Sequence, residues 1–561
     1  MNELLAVPPW VALLVAAAVA LVAPRRAGYA VGVVLTALTV PWVLLAPAGT
    51  ALAVAPLGFE QTLLRIDGLT RPVAAVFGSV AALGVAYAYA TDADARTNAY
   101  ALAYMGASMA AVLAGDWLTL LVAWELMAVT ATVLVWHHGG DAVRPAFRYA
   151  VYHLLGGTLL VAAVALHYTA VGDFLIVGGL ADGLPTVLGV LGVGVNLGFV
   201  GLHYWVPDTY PRPHVAASVV LAGFTTKAAV YALVRVVPDG HVLVAAMGAA
   251  MALYAVWMAV LQTDARRLLS YHIVSQVGYM VAAVGVGTAL ATSGAVAHLS
   301  THVLYKGLLF MVAGALVYRV GTGSLKDLGG LGRRMPLTFA AFLVAALAIS
   351  GVPGFSGFVS KGLVLKSIEG TGPWADLVWW SLVLAGVGTV LSFAKFGYYA
   401  FVRVPPKPLE VRPSRPALSV VLVVAAVPSV AFGLAPELLF GLLPGGSGGF
   451  DPYTTSELTK AAVVTLAGVV GFVALRGPLS RLPSVDVDRL VHPGAFRLAR
   501  LAAGLAAGAG RRSTSALASA SAAVASLLDR DDPATAESAI GTALLVVGAG
   551  LGVVLLIAQF G

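Results

Sequence analysis

The sequence predicts an all-α polytopic membrane protein, and two observations lead to that fold class. Of its 561 residues, 60% are hydrophobic and only 11% are charged, whereas about a quarter of the residues in an average soluble domain are charged. Apolar runs of about 20 residues, the length that crosses a hydrocarbon core of ~30 Å, recur along the whole chain. Because unpaired backbone amides are costly in lipid, these runs must be helices.

We count about sixteen transmembrane spans from these runs. The first run, near residues 8–24, is followed rather than preceded by its arginines, so we interpret it as a retained span and not as a signal peptide. The spans, numbered in chain order, are centred near residues 16, 38, 80, 106, 127, 157, 195, 224, 252, 281, 306, 352, 390, 429, 468 and 548.

The loops between these spans alternate in charge. The even-numbered loops carry several carboxylates and few basic residues. The odd-numbered loops are basic and hold Arg25, Arg26, Arg96, Arg144, Arg148, Arg212, Arg266, Arg267, Lys326, Arg333, Arg334, Arg403, Lys407, Arg412 and Arg415. The positive-inside rule therefore predicts that the odd loops face the cytoplasm and that both termini lie outside a cell membrane.

Two distant parts of the chain share a sequence motif. "KAAVYALVR" begins at Lys227 in span eight, and "KFGYYAFVR" begins at Lys395 in span thirteen, five spans later. A glycine- and proline-rich helix break precedes each motif, "GVNLGFVGLHYWVPD" in span seven and "SGVPGFSGFVSKGL" in span twelve. Because five is odd, the two units must be inverted, and inverted repeats with broken helices are typical of transporters.

Span eleven carries a line of titratable side chains. His298, His302 and Lys306 are four residues apart, so they lie on one face of a helix. We call them the histidine–lysine stripe. Histidine changes charge near physiological pH and can accept a proton on one ring nitrogen while releasing one from the other. Three such groups in one span favour a proton-relay function over an ordinary hydrogen-bonded core.

Four further charged residues lie within predicted spans: Glu125, Lys227, Lys361 and Lys395. A charge near the bilayer centre costs ~3 kcal/mol on insertion scales, so it normally faces a polar interior. A buried lysine can take up and release protons near neutral pH because burial disfavours its charged form. The alternatives are a structural ion pair for Glu125 and, for Lys395, a side chain that extends to the nearby interface.

The remaining histidines are weaker candidates. His153 in span six could line the same interior, and His203 could orient the break in span seven. We expect five others to lie at loop edges in contact with solvent: His137, His138, His214, His272 and His492. The sequence has no cysteine, and no spacing brings three histidines and a carboxylate together, so we expect neither a metal site nor a cofactor. It also has no nucleotide motif.

Six stretches make the chain resemble the antiporter-like subunits shared by respiratory NADH:quinone oxidoreductase and the multisubunit Mrp-type sodium/proton antiporters. They are "LVAWELMA", "LHYWVPDTYPRPHVAASVVLAGFTTKAAVYALVR", "TDARRLLSYHIVSQVGYM", "HLSTHVLYKGLLF", "LGGLGRRMPLTFAAF" and "GVPGFSGFVSKGLV". Together they cover most of residues 100–400. The sequence from "GGLGRRMPLTFAAF" to "GFVSK" most resembles the D-type subunits of the Mrp antiporters.

The resemblance implies a fourteen-helix core with inverted repeats in spans four to eight and nine to thirteen, and a hydrated polar axis. It assigns Glu125 to an input half, Lys227 and the histidine–lysine stripe to a central relay, and Lys361 to an output half. The expected units are residues 1–92, N-terminal helices; 93–240 and 241–404, the two repeats; 405–445, the last core helix; and 446–561, an extension with two further spans and a cytoplasmic amphipathic segment.

One position departs from the family pattern. Seven residues before the histidine of "LHYW", the family usually has a lysine that pairs with the glutamate, and this sequence has Asn196. Asparagine cannot hold a proton at any relevant pH. Either Lys227 or His153 replaces the missing cation, or this half of the protein does not pump.

These features lead to one main functional hypothesis and three alternatives. The main one is a proton-translocating, and in one version sodium-exchanging, subunit of an Mrp-type antiporter, which is not itself an enzyme. The alternatives are a subunit of a redox-driven complex, a subunit of an inorganic-carbon uptake complex, and a scaffold that has lost conduction. The expected partners are other membrane subunits, protons or sodium, and the lipid bilayer, but no nucleic acid.

Overall fold

The computed structural model describes residues 7–479 and is almost entirely helical. Within these residues, eleven helices are long and apolar enough to cross a membrane. The first fifteen predicted span centres all fall on helices or on breaks within them, which confirms the fold class. The sixteenth span and nearly all of the predicted amphipathic segment lie outside the described residues.

Among the described residues up to Val236, the chain forms one β-hairpin and ten α-helices. The hairpin strands are β1 (Gly49–Val54) and β2 (Gln61–Ile66). The helices are α1 (Pro9–Val22), α2 (Arg25–Leu45), α3 (Thr70–Ala90), α4 (Ala95–Leu113), α5 (Trp117–Trp136), α6 (Val143–Val171), α7 (Leu184–Leu197), α8 (Trp205–Thr209), α9 (Val215–Gly223) and α10 (Thr225–Val236).

Ten further helices follow. They are α11 (Val242–Leu261), α12 (Ala265–Val286), α13 (Ala289–Val320), α14 (Leu331–Arg334), α15 (Pro336–Ser350), α16 (Ser356–Ile368), α17 (Ala375–Gly397), α18 (Pro416–Leu434), α19 (Pro436–Phe440) and α20 (Thr455–Leu479). A single π-helical turn, Tyr398–Val402, extends α17.

Contacts between loops divide them into two sets, one at each end of the helices. The basic face is the end formed by loops 91–94, 137–142, 210–214, 262–264, 321–335 and 403–415. Here Asp92 forms ion pairs with Arg25 and Arg415. The hairpin face is the opposite end, where Arg65 of β2 donates to the carbonyl of Ile176 at 2.7 Å. The two sets match the predicted alternation of basic and acidic loops.

The β-hairpin was not expected from the sequence. Its strands pair antiparallel, with Gly49 opposite Ile66 and Val54 opposite Gln61. The backbone N–H of Thr62 donates to the buried carboxylate of Asp116, which also accepts from Thr119 N at 2.7 Å and so caps α5. The hairpin is therefore fixed to the transmembrane helices.

Helices α11 and α12 pack with their backbones in close contact. A Cβ added at Gly248 would lie 2.2 Å from Ala282 N, and one added at Gly278 would lie 2.5 Å from Gly248 O. Small residues at such positions allow membrane helices to approach closely. Glycine at 248 and 278 therefore sets the distance between these helices.

The two predicted helix breaks are confirmed. Span seven breaks between α7 and α8, where Gly198 has φ 77° and Gly201 has φ 91°. Span twelve breaks between α15 and α16, where Gly351 has φ 76° and Gly354 has φ 89°. Only glycine adopts such angles without strain, which explains why these sequences interrupt their helices. A third break, at Phe224 between α9 and α10, was not predicted.

The repeated K…YA.VR motifs end in the same contact at opposite faces. The guanidinium of Arg235 lies 5.0 Å from the ring centroid of Tyr231, and that of Arg403 lies 4.8 Å from the ring centroid of Tyr399. Arg235 belongs to the hairpin face and Arg403 to the basic face. The motif therefore occurs twice in inverted orientation.

Candidate functional site

Lys227 is fully buried just after the break between α9 and α10. Its Nζ donates to the carbonyl of Ala222 at 2.5 Å. This carbonyl lies in the last turn of α9, where the helix dipole favours a cation. The break therefore gives a buried lysine a neutral partner in place of a counter-charge.

Lys361 repeats this arrangement at the break in span twelve. Its Nζ donates to the carbonyl of Ile349 at 2.7 Å, at the end of α15, and lies 5.0 Å from the ring centroid of Tyr279. Like Lys227, it is buried, and the described residues place no carboxylate within ion-pairing distance of either lysine. Two buried lysines thus contact released carbonyls at helix breaks.

The histidine–lysine stripe runs along α13, and all three of its members are fully buried. The rings of His298 and His302 lie 6.1 Å apart. His298 Nδ1 is 3.0 Å from Ser360 Oγ, next to Lys361 in sequence. The stripe therefore contacts α16 one residue before Lys361.

Several buried atoms of the stripe have no hydrogen-bond partner among the described residues. They are both ring nitrogens of His302, Nε2 of His298 and Nζ of Lys306. Lys306 is nevertheless within electrostatic reach of both Lys227 and Lys361. Buried polar atoms are normally hydrogen-bonded, to ordered water where protein partners are lacking. Lys227, Lys361 and the histidine–lysine stripe therefore form one polar seam.

The seam includes two residues of α12 that sequence reasoning missed. His272, predicted at a solvated loop edge, is fully buried, and its Nε2 lies 2.8 Å from Ser392 Oγ. That prediction was wrong because α12 already begins at Ala265, two turns earlier. Gln276 is also fully buried, and its side-chain atoms have no described partner. The i, i+4, i+7 spacing of His272, Gln276 and Tyr279 was a signal that could have revealed this second polar face.

Lys395 lies apart from the seam. Its half-buried ammonium donates to the carbonyls of Val260 and Gln262, at 2.7 and 2.6 Å, where α11 ends at the basic face. This contact fits the interfacial alternative, a lysine that caps the end of a neighbouring helix. A relay role for Lys395 remains a prediction.

Glu125 lies on α5, half-buried, against a pair of glycines on α6. An added Cβ at Gly157 would lie 1.9 Å from Glu125 Oε1, and one at Gly156 would lie 3.2 Å from Asn196 Oδ1. We call these four residues the glutamate cleft. Neither polar atom of the buried Asn196 side chain has a hydrogen-bond partner in the described chain. The cleft thus brings together the acid and the position where the family usually has its lysine.

A chain of aromatic and hydroxyl groups leads from α6 toward Lys227. The ring of His153 stacks on Tyr149 with centroids 3.7 Å apart. Tyr149 OH lies 3.1 Å from Thr225 Oγ1, at the start of the helix that carries Lys227. His153 is buried, and its place in the same interior as the relay groups stays a prediction. His203 is also buried after the span-seven break, beside Tyr254.

At the basic face, His138 is exposed and His137 and His214 are partly exposed at loop edges, as predicted. His137 Nε2 is 2.9 Å from Asp94 Oδ2. Burial alone raises the pKa of this carboxyl, but hydrogen bonds from Thr97 and His137 outweigh it and lower the pKa to about 2. Asp94 is therefore ionised at neutral pH. His492 lies outside the described residues.

Comparison with known families matches residues 114–392 to "NADH:quinone oxidoreductase/Mrp antiporter, TM". The matched segment runs from the start of α5 into α17 and contains the seam and the glutamate cleft. Residues 114–392 therefore belong to this family. The match ends three residues before Lys395, the one candidate that the structure sets apart.

Relatives of two kinds within this family are equally similar. The chain is 32% identical over 312 residues to the D-type subunit of the Na(+)/H(+) antiporter of Alkalihalophilus pseudofirmus, which covers 52% of the chain and 62% of the relative. It is 32% identical over 317 residues to the N-type subunit of the NADH-quinone oxidoreductase of Desulforudis audaxviator, covering 52% of the chain and 62% of the relative. The matches thus span less than two thirds of either relative.

Solved structures confirm the fold of the chain. A chain in the structure of the Mrp complex from Dietzia sp. DQ12-45-1b superposes with a TM-score of 0.70 at 23% identity. The superposition covers 83% of this chain and 100% of that chain. The fold predicted from the sequence, with inverted repeats and broken helices, is therefore confirmed well beyond the segment matched by the family.

Proposed function

We propose that the chain is a proton-translocating membrane subunit of an Mrp-type cation/proton antiporter, located in the cell membrane and assembled with other membrane subunits. The observation that carries this proposal is the buried polar seam, in which the histidine–lysine stripe lies between two buried lysines that each contact a carbonyl at a helix break. Permanently charged groups would be costly in such a place. Side chains that alternate between charged and neutral forms can occupy this buried seam at a lower cost.

In the proposed mechanism, protons move between the lysines through the histidines, hydroxyls and trapped water. The histidine rings can pass a proton by accepting on one nitrogen and donating from the other. Because Lys306 is within electrostatic reach of both Lys227 and Lys361, a charge on one ammonium disfavours a charge on its neighbours in a medium of low dielectric constant. Proton uptake at one break thus promotes release at the other.

The input step, proton exchange at Glu125, differs in this chain from the pattern that the family resemblance implies. Glu125 has no cation on α7, since Asn196 occupies the usual lysine position. We propose that Glu125 exchanges protons with Lys227 by way of His153, Tyr149 and Thr225. Asn196 then serves as a hydrogen-bonding group for water between the two sides of the glutamate cleft.

A second candidate function is the same proton pathway driven by electron transfer in partner chains. It is favoured by the equal similarity to a subunit of an NADH-quinone oxidoreductase. In that setting the chain remains a transporting subunit, and the redox centres belong to other chains. Co-purification separates the two functions, because flavin or iron–sulfur proteins in the assembly would favour the redox-driven complex.

The test is proton flux in vesicles that contain the intact assembly, driven by sodium or by voltage. We expect Lys361→Ala and His302→Ala to abolish most of the flux. The matched control is Lys366→Ala on the same helix, whose side chain is 51% exposed and pairs with Glu369. Flux that persists in both seam variants would reject the relay, and flux absent from the unmodified assembly would favour a scaffold that has lost conduction.

A further inference from the structure

A cavity of about 370 Å³ opens at the hairpin face, away from the seam. Five segments of the chain surround it: the end of β2, the start of α3, the loop before α7, the end of α10 and the start of α13. Its volume lies within the range of small-molecule sites. The lining residues include Arg65, Arg235, Leu69, Val234 and Thr292. We call this cavity the arginine pocket.

The pocket carries a net positive charge. Arg65 Nε and Arg235 Nη2 both bind the same carboxylate oxygen of Asp67, at 3.0 and 2.6 Å. Burial alone raises the pKa of Asp67, but the Arg235 guanidinium and a hydrogen bond from Thr70 outweigh this and lower it, so the carboxylate is ionised. Two guanidinium groups facing one carboxylate leave one positive charge in excess.

Unused hydrogen-bond donors point to an anion. Gly178 and Gly179 line the pocket in the left-handed conformation, with φ 69° and 94°. Their backbone N–H groups have no partner among the described residues. Successive N–H groups in such a turn, beside arginine, form the kind of concavity that binds phosphate oxygens. An added Cβ at Gly179 would lie 2.8 Å from Val236 O, so this turn requires glycine.

The remaining walls of the pocket are apolar, formed by Leu69, Val234 and Pro238, and the neighbouring Val177 is 73% exposed. We propose that the arginine pocket binds a phosphate-bearing anion, with its oxygens on Arg65, Arg235, the Thr292 hydroxyl and the Gly178–Gly179 turn. The apolar walls favour the headgroup of an anionic phospholipid as the source, because the rest of the lipid can lie against the apolar walls while its phosphate contacts the arginines. Free phosphate is the other source of the same chemistry. Either ligand would link the outer ends of α10 and α13, the helices that carry Lys227 and the stripe.

The test uses the intact assembly, purified in detergent and stripped of lipid. Dioleoylphosphatidylglycerol, dioleoylphosphatidylcholine or inorganic phosphate is added back, and binding is followed by native mass spectrometry and by the rise in Tm. We expect phosphatidylglycerol to bind at least tenfold more tightly than phosphatidylcholine. A rise in Tm with inorganic phosphate and with neither lipid would support the site, with free phosphate as its ligand. Equal binding of the two lipids, with no effect of phosphate, would overturn the proposal.

Variants assign the binding to the pocket. Arg65→Gln should weaken phosphatidylglycerol or phosphate binding about tenfold, the value of one charge-assisted hydrogen bond. The matched control is Arg71→Gln, an arginine at the same face whose guanidinium binds the carbonyls of Leu44 and Ala46 instead. Equal losses in the two variants would overturn the assignment.

A second variant covers the case in which Arg65→Gln disturbs the hairpin. Thr292→Val removes a hydroxyl from the lining and leaves the Arg65–Asp67–Arg235 contacts in place. We expect it to weaken binding about fivefold without lowering the Tm of the lipid-free assembly. Unchanged binding in Thr292→Val would contradict the proposed site.

Discussion

At the scale of single residues, the role of a buried lysine depends on the position of the carbonyl that its ammonium contacts. Lys227 and Lys361 contact carbonyls at helix breaks inside the protein, whereas Lys395 caps α11 at the basic face. The sequence shows three lysines in three apolar spans. Only the geometry separates two candidate relay groups from one structural cap.

The glutamate cleft gives a direct test of the missing cation. We expect Asn196→Lys to raise proton flux severalfold, because the new ammonium would lie beside Gly156, next to Glu125. Asn196→Met, of similar length but neutral, is the control and should give no gain. In the double variant Glu125→Gln/Asn196→Lys the buried lysine loses its partner, which should destabilise the fold by ~3–5 kcal/mol. A gain in flux that survives the loss of Glu125 would disprove the pairing.

Gly157→Ala should impair transport without unfolding the protein. The added Cβ would lie 1.9 Å from Glu125 Oε1, the mobile end of a side chain that can rotate away. Alanine also stabilises a helix by ~1 kcal/mol relative to glycine. We therefore expect a severalfold loss of flux with an unchanged or slightly higher Tm. Gly477→Ala is the control, since its Cβ would meet nothing within 4 Å; equal flux in the two variants would count against a role for the cleft.

At the scale of elements, close helix packing and helix breaks depend on glycine for different reasons. The breaks need glycine because the backbone at Gly198 and Gly351 has positive φ. The α11–α12 contact needs it because another backbone occupies the space of a side chain. A helix break can be recognised in the sequence from clustered glycine and proline. A glycine needed for close packing cannot, because that need depends on which helices become neighbours.

Gly248→Ala should destabilise the protein through this contact. Its Cβ would lie 2.2 Å from Ala282 N, a backbone atom that cannot rotate away. We expect a loss of ~1–3 kcal/mol as the two helices move apart, visible as a lower Tm in detergent. A Tm no lower than that of Gly477→Ala would show that the helices separate at little cost.

At the scale of the whole molecule, the two faces define an orientation that can be measured. The chain has no cysteine, so each introduced cysteine reports one position. With a membrane-impermeant maleimide, we expect Glu60→Cys in the hairpin to react in intact cells and Ser414→Cys at the basic face to react only after permeabilisation. The reverse pattern would mean that the basic face lies outside, against the positive-inside rule.

Much of the fold and part of the site could be predicted from the sequence. Hydrophobic length gave the spans, alternating loop charge gave the two faces, and spacing four apart gave the stripe on α13. The hairpin was missed because its strands are short, and their contact with Asp116 joins residues 54 positions apart. His272 was misplaced because the start of a membrane helix cannot be located within a turn or two from hydropathy alone.

By itself, the sequence determined that this protein crosses the membrane many times, repeats itself in inverted form and buries titratable groups. These properties follow from composition and from local spacing. The tertiary structure decided which of those groups meet: it brought His298 to Ser360, next to Lys361, set Lys395 apart at the end of α11, and packed Glu125 and Asn196 against adjacent glycines of α6. The physical reason is that the cost of a buried charge depends on the partners that other helices supply, and no local pattern contains that information.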